Sequence, residues 1–191
     1  TSQDTNWVYG MSPSVFRERY YEAEQLICKA LESRDPFHFN GKYTKLRNVN
    51  LWPKPIQDPH PPIWVGGNSR KAMRRAIDKC QGWIPVPGTL PRTLTPTLST
   101  LDDFRERIKL AEEYADQVGR KEPLTLCTSG VGGLDSTYPP DFDHGPVLER
   151  ISALREIGFS VFTCMLPAES RAQYSENAAR FKDQVIDVVN S

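Results

Sequence analysis

The feature that most limits the possible folds is an alternation of short apolar runs with helical patterns from residue 63 onward. Four apolar runs, near residues 63, 84, 125 and 161, are each followed by an amphipathic helix or by a loop rich in glycine and proline. Short runs that are almost entirely apolar are typical of parallel strands covered on both faces. Because the strands alternate with helices, the sequence predicts an α/β fold with a parallel sheet.

The helices are predicted from apolar residues at helical spacing and from their capping residues. They cover about 15–32, 69–79, 101–118, 147–158 and 176–189, with Ser12 and the Thr100/Asp103 pair as candidate caps. The expected buried faces of the second to fourth helices are Ala72, Met73, Ala76, Ile77 and Cys80; Phe104, Ile108, Ala111, Ala115 and Val118; and Val147, Leu148, Ile151, Leu154 and Ile157.

The first 62 residues follow a different pattern. The first helix carries an apolar stripe of Phe16, Tyr20, Ala23, Ile27, Ala30 and Leu31, and its acidic pair Glu22 and Glu24 is expected on the solvated side. An aromatic-rich turn around Gly41 and an extended, proline-rich loop over 52–62 come next. Two interpretations remain open for four aromatic residues of this region: they line an apolar pocket, or their packing pins a long loop against the barrel or sheet. These residues are Phe37, Phe39, Tyr43 and Trp52.

Length and composition exclude several classes of protein. The 191 residues fit a single domain over 1–191, and 24 basic against 24 acidic residues exclude a nucleic-acid binder that works through bulk positive charge. No run of 18 apolar residues predicts a membrane span, and the amino terminus lacks the pattern of a secretion signal. Since the chain also lacks an initiating Met, we expect a processed, trimmed or partial sequence.

Cysteines and histidines do not form a recognisable site. Cys28, Cys80, Cys127 and Cys164 are widely spaced, which favours reduced core residues in a cytoplasmic protein over a disulfide framework. The three histidines are equally scattered, so no metal site is predicted. No nucleophile motif or carboxylate pair supports hydrolase chemistry.

The most informative segment is Pro61-Pro-Ile-Trp-Val-Gly-Gly-Asn-Ser-Arg-Lys-Ala72. Its two glycines follow a strand, and Asn68 and Ser69 then open a helix, whose first N–H groups can bind an anion such as a cofactor phosphate. Taken by itself, the same pattern also describes a capped turn without a ligand. A second glycine cluster, Gly130-Val-Gly-Gly133, is followed by Tyr138-Pro-Pro140 and therefore cannot open the helix of a dinucleotide-binding loop.

The segment 61–72, together with the residues before and after it, resembles the bacterial luciferase-like monooxygenase superfamily. The resemblance consists of the turn Asp35-Pro-Phe-His-Phe-Asn-Gly-Lys-Tyr43, the proline-rich lead into Pro61-Pro-Ile-Trp-Val-Gly-Gly67, and Gly82-Trp83 after the next helix. The preceding helix with Arg19 and Glu22 also looks like the helix that precedes this turn in the family. One residue departs from the pattern, because Gln81 stands where the family usually has Asp.

The resemblance implies a TIM-type (β/α) barrel that binds FMN or the deazaflavin coenzyme F420 and oxidises or reduces a small organic substrate. It places the cofactor phosphate at Gly66, Gly67, Asn68 and Ser69, and the form of the 61–67 segment favours the deazaflavin. A flavin reductase is an expected partner of a two-component monooxygenase, and a homo-oligomer is expected. The resemblance assigns no catalytic residue in this chain.

The strand count indicates only part of such a barrel. A full barrel needs eight strand–helix units, whereas four are found, so we expect the C-terminal half of a barrel. Two functions remain open at this point. The chain is an oxidoreductase, or half of one; alternatively, it is a non-catalytic barrel remnant or a partner-binding module that lacks the N-terminal half.

Overall fold

The computed structural model describes residues 10, 12–88, 95–129, 131 and 143–191 of the chain. These residues belong to two compact units, Thr1–Pro61 and Pro62–Ser191. The predicted loop over 135–146 lies largely outside the described residues, and Gly130, Gly132 and Gly133 lie wholly outside them.

The first unit consists of one helix, a two-stranded hairpin and a proline-rich loop. Helix α1 spans Pro13–Glu32, and strands β1 (Phe37–Asn40) and β2 (Lys45–Val49) pair in antiparallel fashion. The sequence predicted the turn at Gly41 but not the two strands around it. The strands were missed because their pairing is irregular next to Phe37 and because Asn48 takes a left-handed φ of 52°, which interrupts the alternating pattern of a strand.

The carboxylate of Glu22 holds the hairpin turn against α1. It accepts hydrogen bonds from the backbone N–H groups of Tyr43, at 3.0 Å, and Thr44, at 2.6 Å. Gly41 leaves the space that this carboxylate fills, since a Cβ at Gly41 would overlap it. The expectation that Glu22 lies on a solvated helix face is therefore wrong, because the turn needs an acceptor for its amides.

The apolar stripe of α1 is only partly buried. Tyr20 and Ile27 are exposed, and Phe16 is only half-buried. Ser12 stands at the N-cap, but its side chain makes no capping hydrogen bond. The helix is tied to its own unit chiefly by polar contacts, which amphipathic periodicity does not reveal.

The proline-rich loop over 52–62 forms neither helix nor strand, as predicted, although bends interrupt it. Polar contacts attach it to the end of α1. Lys54 Nζ donates to the Ser33 carbonyl at 2.6 Å, and Arg34 forms an ion pair with Asp58 at 3.1 Å. Trp52, at the start of this loop, is 70% exposed.

The second unit contains the predicted parallel sheet. Its strands pair in the order β3 (Trp64–Gly66), β4 (Gly82–Ile84), β5 (Thr125–Thr128) and β6 (Val161–Phe162), and every pairing is parallel. The last strand is much shorter than the apolar run 159–166 suggested. Phe159, the first residue of that run, is buried in the core outside the strand.

Helices α2 (Arg70–Lys79), α3 (Leu101–Gln117) and α4 (Gly145–Glu156) connect these strands. Thr100 and Asp103 form the predicted capping box of α3, and Gly119 follows the helix with a φ of 71°. The predicted inner faces of α2, α3 and α4 are buried or half-buried, with one exception. Val118 is 47% exposed because α3 ends one residue before it.

The chain closes with helix α5 (Arg171–Phe181), a π-helical segment (Lys182–Ile186) and the short helix α6 (Asp187–Asn190). This helical stretch begins earlier than predicted because Ser170 caps it, accepting a hydrogen bond from the Gln173 amide.

The two faces of the sheet carry different side chains. Val65, Trp83 and Leu126 lie side by side and belong to the core that the helices form. On the opposite face, Trp64 pairs with Gly82, and a Cβ at Gly82 would lie 2.5 Å from the Trp64 ring. The indole of Trp64 therefore requires glycine at its neighbour in β4.

The Gly82→Ala substitution tests this contact. The added methyl group overlaps the Trp64 ring, so we expect the free energy of unfolding to fall by about 1–3 kcal/mol in urea denaturation. Gly66→Ala is the matched control, because its Cβ would meet no heavy atom closer than the Ile84 carbonyl oxygen at 3.9 Å. Equal stability of the two variants would contradict the packing role of Gly82.

The Glu22 carboxylate predicts a pH dependence of the first unit. Burial raises the pKa of Glu22, but the backbone hydrogen bonds of Tyr43 and Thr44 outweigh it, so the folded-state pKa is lowered. A lowered pKa contributes stability that is present above the unfolded-state value and is lost as the pH falls through the folded-state value. Unfolding between pH 6 and about 3 should therefore show a loss of stability that Glu22→Gln reduces. An identical pH profile in the variant would disprove this role.

Candidate functional site

The turn at 66–69 follows β3 at its carboxyl end and leads directly into α2. Gly67 has a φ of 120°, a conformation that side-chain-bearing residues rarely adopt. Its N–H donates to the Ile84 carbonyl at 3.0 Å, and its carbonyl accepts from Nε1 of Trp83 at 2.9 Å. Strand β4 therefore holds both backbone groups of Gly67 in place.

Ser69 is the N-cap of α2. Its hydroxyl accepts a hydrogen bond from the Ala72 amide at 3.1 Å. The amides of Arg70 and Lys71 precede the first intrahelical bond and have no acceptor within the helix. Both side chains are exposed cations, and the first turn of α2 contains no acidic residue. The helix end thus combines N–H groups without an intrahelical acceptor, the positive end of the helix dipole and two positive charges, which suits an anion.

Gly66 leaves room beside this helix end. It is exposed, and the nearest heavy atom to an added Cβ would be 3.9 Å away, so the packing of the chain does not itself require glycine here. A backbone without a side chain permits close approach of a ligand. The open backbone at Gly66, ahead of the first turn of α2, therefore leaves an anionic ligand space to approach.

The side chain of Asn68, a residue that the resemblance placed at the cofactor phosphate, makes its contacts within the chain. Its side chain is completely buried, and its Nδ2 donates to the carbonyls of Val86, at 2.8 Å, and Pro96, at 2.9 Å. Its Oδ1 accepts from the Val86 amide at 2.8 Å. The amide is thus occupied by the backbone, as a buried polar group must be, and is not presented to a ligand.

Trp83 in β4 and Gln81 just before it contact the segment around β3 in ways that spacing did not reveal. Trp83 is fully buried and reaches Gly67 with its indole N–H. Gln81, the departure from the family pattern, accepts from the Ile63 amide with Oε1 at 2.9 Å. An amide oxygen supplies the acceptor here, so a carboxylate is not needed for this contact. The pair Gly82-Trp83 was the sequence signal, and only the structure shows what the indole does.

The four aromatic residues that the sequence singled out, Phe37, Phe39, Tyr43 and Trp52, do not share one environment. Phe37 is buried beneath Lys29 of α1, with 5.7 Å from Nζ to the ring centroid, and Tyr43 lies between Arg19 and Lys42 at 5.2 Å from each. Phe39 is half-buried, whereas Trp52 is exposed. Phe37 therefore packs the hairpin onto the helix, which neither of the two interpretations predicted.

A hollow of about 330 Å³ lies at the opposite end of the sheet. Leu124 and Gly158, which precede β5 and β6, line it together with Ile77 and Ile108. None of its lining residues belongs to the 66–69 turn. The hollow is therefore separate from the candidate anion site.

Other chemistry finds no support in the described part of the chain. Among the residues that the structure describes, no group of three or more His, Cys, Asp or Glu side chains could hold a metal ion. The four cysteines are free thiols, and burial raises the pKa of Cys127 and Cys164. No described helix is long and apolar enough to cross a bilayer.

A parallel α/β sheet with an anion-binding turn after a strand is typical of enzymes that bind phosphate-bearing cofactors. The family model of luciferase-like monooxygenases matches residues 2–131, and the chain belongs to that family. This confirms the resemblance that the sequence showed.

The relatives are considerably longer than the chain. An FMNH2-dependent dimethylsulfone monooxygenase of Pseudomonas putida is 32% identical over 104 residues, which are 53% of this chain and 27% of that enzyme. A monooxygenase of Streptomyces bottropensis shares the fold with a TM-score of 0.72 at 15% identity, over 99% of this chain and 66% of its own. An F420-dependent secondary alcohol dehydrogenase also shares the fold, with a TM-score of 0.64 at 18% identity. The match covers 94% of this chain and 64% of the dehydrogenase.

The cap of α2 can be tested by stability alone. Ser69→Ala removes the acceptor of the Ala72 amide, so we expect the free energy of unfolding to fall by about 1 kcal/mol. Chemical denaturation followed by circular dichroism measures the change. An unchanged midpoint would show that the Ser69 hydroxyl does not cap the helix.

Proposed function

We propose that the chain is the C-terminal half of a (β/α) barrel oxidoreductase that uses FMN or the deazaflavin coenzyme F420. Residues 1–191 form one luciferase-like domain in this proposal, and its cofactor phosphate binds at the 66–69 turn. The observation that carries the proposal is the start of α2, where amides without an intrahelical acceptor and two cations follow an open glycine at the end of a parallel strand.

The topology of the sheet supports the partial barrel. The four parallel strands occur in the same order in the sheet as in the sequence, as consecutive barrel strands do. A barrel of eight strands needs about 250 residues, and the relatives extend well beyond the matched part. A preceding half would supply the remaining strands and pair with the open edges of the sheet.

The chain's own residues would bind and orient the cofactor. When bound, the isoalloxazine or deazaflavin ring supplies the redox chemistry. The amides of Arg70 and Lys71 donate to the phosphate, and both side chains offset its charge. Ser69 keeps these amides in place by capping α2, and Gly66 leaves the space for close approach.

The remaining parts of the proposal follow the relatives. FMN and F420 both carry a phosphate on a ribityl chain, and one relative depends on FMNH2 whereas a structural neighbour depends on F420. The substrate class is a small organic molecule, and a flavin reductase would deliver reduced FMN if FMN is used. We further propose a homo-oligomer in the cytoplasm.

A pair of substitutions separates binding from stability. Ser69→Asp and Ser69→Asn both retain a good N-cap, but only Asp places a negative charge beside the phosphate. We expect Ser69→Asp to weaken the binding of FMN or F420 by about tenfold or more, while Ser69→Asn binds like the wild type. Fluorescence titration with each cofactor measures both dissociation constants.

The titration is made with the 191-residue chain and with a version extended upstream to the length of its relatives. Equal dissociation constants of the two Ser69 variants would show that the phosphate does not bind at this turn. Absence of binding by both folded wild-type forms would favour the non-catalytic remnant instead.

A further inference from the structure

The buried side chain of Asn68 connects three segments of the second unit. It lies in the 66–69 turn, contacts Val86 just after β4 with both its oxygen and its nitrogen, and reaches the Pro96 carbonyl ahead of α3. The three hydrogen bonds measure between 2.8 and 2.9 Å. One amide therefore joins the end of β3 to both ends of the connection between β4 and α3.

A second contact closes the same connection. Gly88 N–H donates to the Leu98 carbonyl at 2.8 Å, and these two residues form an antiparallel bridge. Leu98 is 1% exposed, so its arm is fixed in the core. We call residues 86–88 and 95–98 the two arms. They begin or end close to the carboxyl end of β4, which is the end of barrel strands where substrates bind.

Only an amide satisfies all the partners of residue 68. Two carbonyls and one N–H face the side chain, which demands two donor hydrogens and one acceptor. A carboxylate would meet two carbonyl oxygens without a proton to donate, and an alanine would remove all three hydrogen bonds. A residue that serves only to cap a turn would not need this pattern.

We propose that Asn68 is a positioning residue that couples the cofactor turn to the two arms beside the substrate side of the barrel. The coupling rests on the proposed function, because it needs a cofactor at the turn. A cofactor that binds the 66–69 turn stabilises the conformation in which Asn68 holds both arms, and ordered arms in return strengthen cofactor binding. The Val86 and Gly88 amides report the state of the arms directly.

Amide hydrogen exchange with and without cofactor tests the coupling without any substitution. The probes are FMN and F420, each added at saturation to whichever form of the protein binds it. We expect exchange at Val86 and Gly88 to slow by about tenfold when the cofactor binds. Bound cofactor without any change at these two amides overturns the coupling and leaves the proposed function intact.

The substitution Asn68→Ala provides a second, independent test of the coupling. We expect it to weaken cofactor binding by about tenfold and to abolish the protection of Gly88 by the cofactor. Asn177→Ala is the matched control, since Asn177 is also buried and donates to a proline carbonyl, that of Pro167, at 2.8 Å. It should lower the free energy of unfolding but preserve the dissociation constant and the protection.

Equal cofactor affinities of Asn68→Ala and Asn177→Ala would overturn the proposal. If no form of the wild-type protein binds FMN or F420, the proposed function fails and the coupling fails with it. The two failures are therefore distinguishable, because the wild type still binds a cofactor if only the coupling fails, whereas it binds none if the proposed function fails.

Discussion

The parallel pairing of β3 with β4 is the constraint on which the candidate site depends, and two adjacent residues enforce it. Gly82 accommodates the ring of Trp64 on one face of the sheet, and Trp83 enters the helical core on the other. From that core its indole N–H reaches the carbonyl of Gly67. The same dipeptide therefore aligns two strands and holds the turn that follows the first of them.

The sequence predicted the parts of this arrangement that depend on apolar periodicity. The four parallel strands and the inner faces of α2, α3 and α4 alternate or repeat in ways that burial requires. Periodicity failed where polar contacts decide the structure. The hairpin around Gly41 is held by the Glu22 carboxylate, and no pattern of apolar residues reports such a bond.

The candidate site shows the same division. The glycines and the cap of α2 were recognisable because they are local features of a strand-to-helix turn. The role of Asn68 was not, since its partners Val86 and Pro96 are 18 and 28 residues away in the sequence. The sequence alone does not show whether an asparagine side chain is buried or faces solvent. Only the fold distinguishes a residue that binds a ligand from one that shapes the site around it.

Gln81 contacts the strands on both sides of it. Its N–H and its side-chain oxygen bind the backbone of Ile63, and its carbonyl accepts from the Thr125 amide. Because a glutamine side chain does not ionise, this junction of three strands stays electrically neutral at every pH. Acidification can thus weaken the hairpin of the first unit through Glu22, whereas the hydrogen bonds that Gln81 makes at this junction are unaffected.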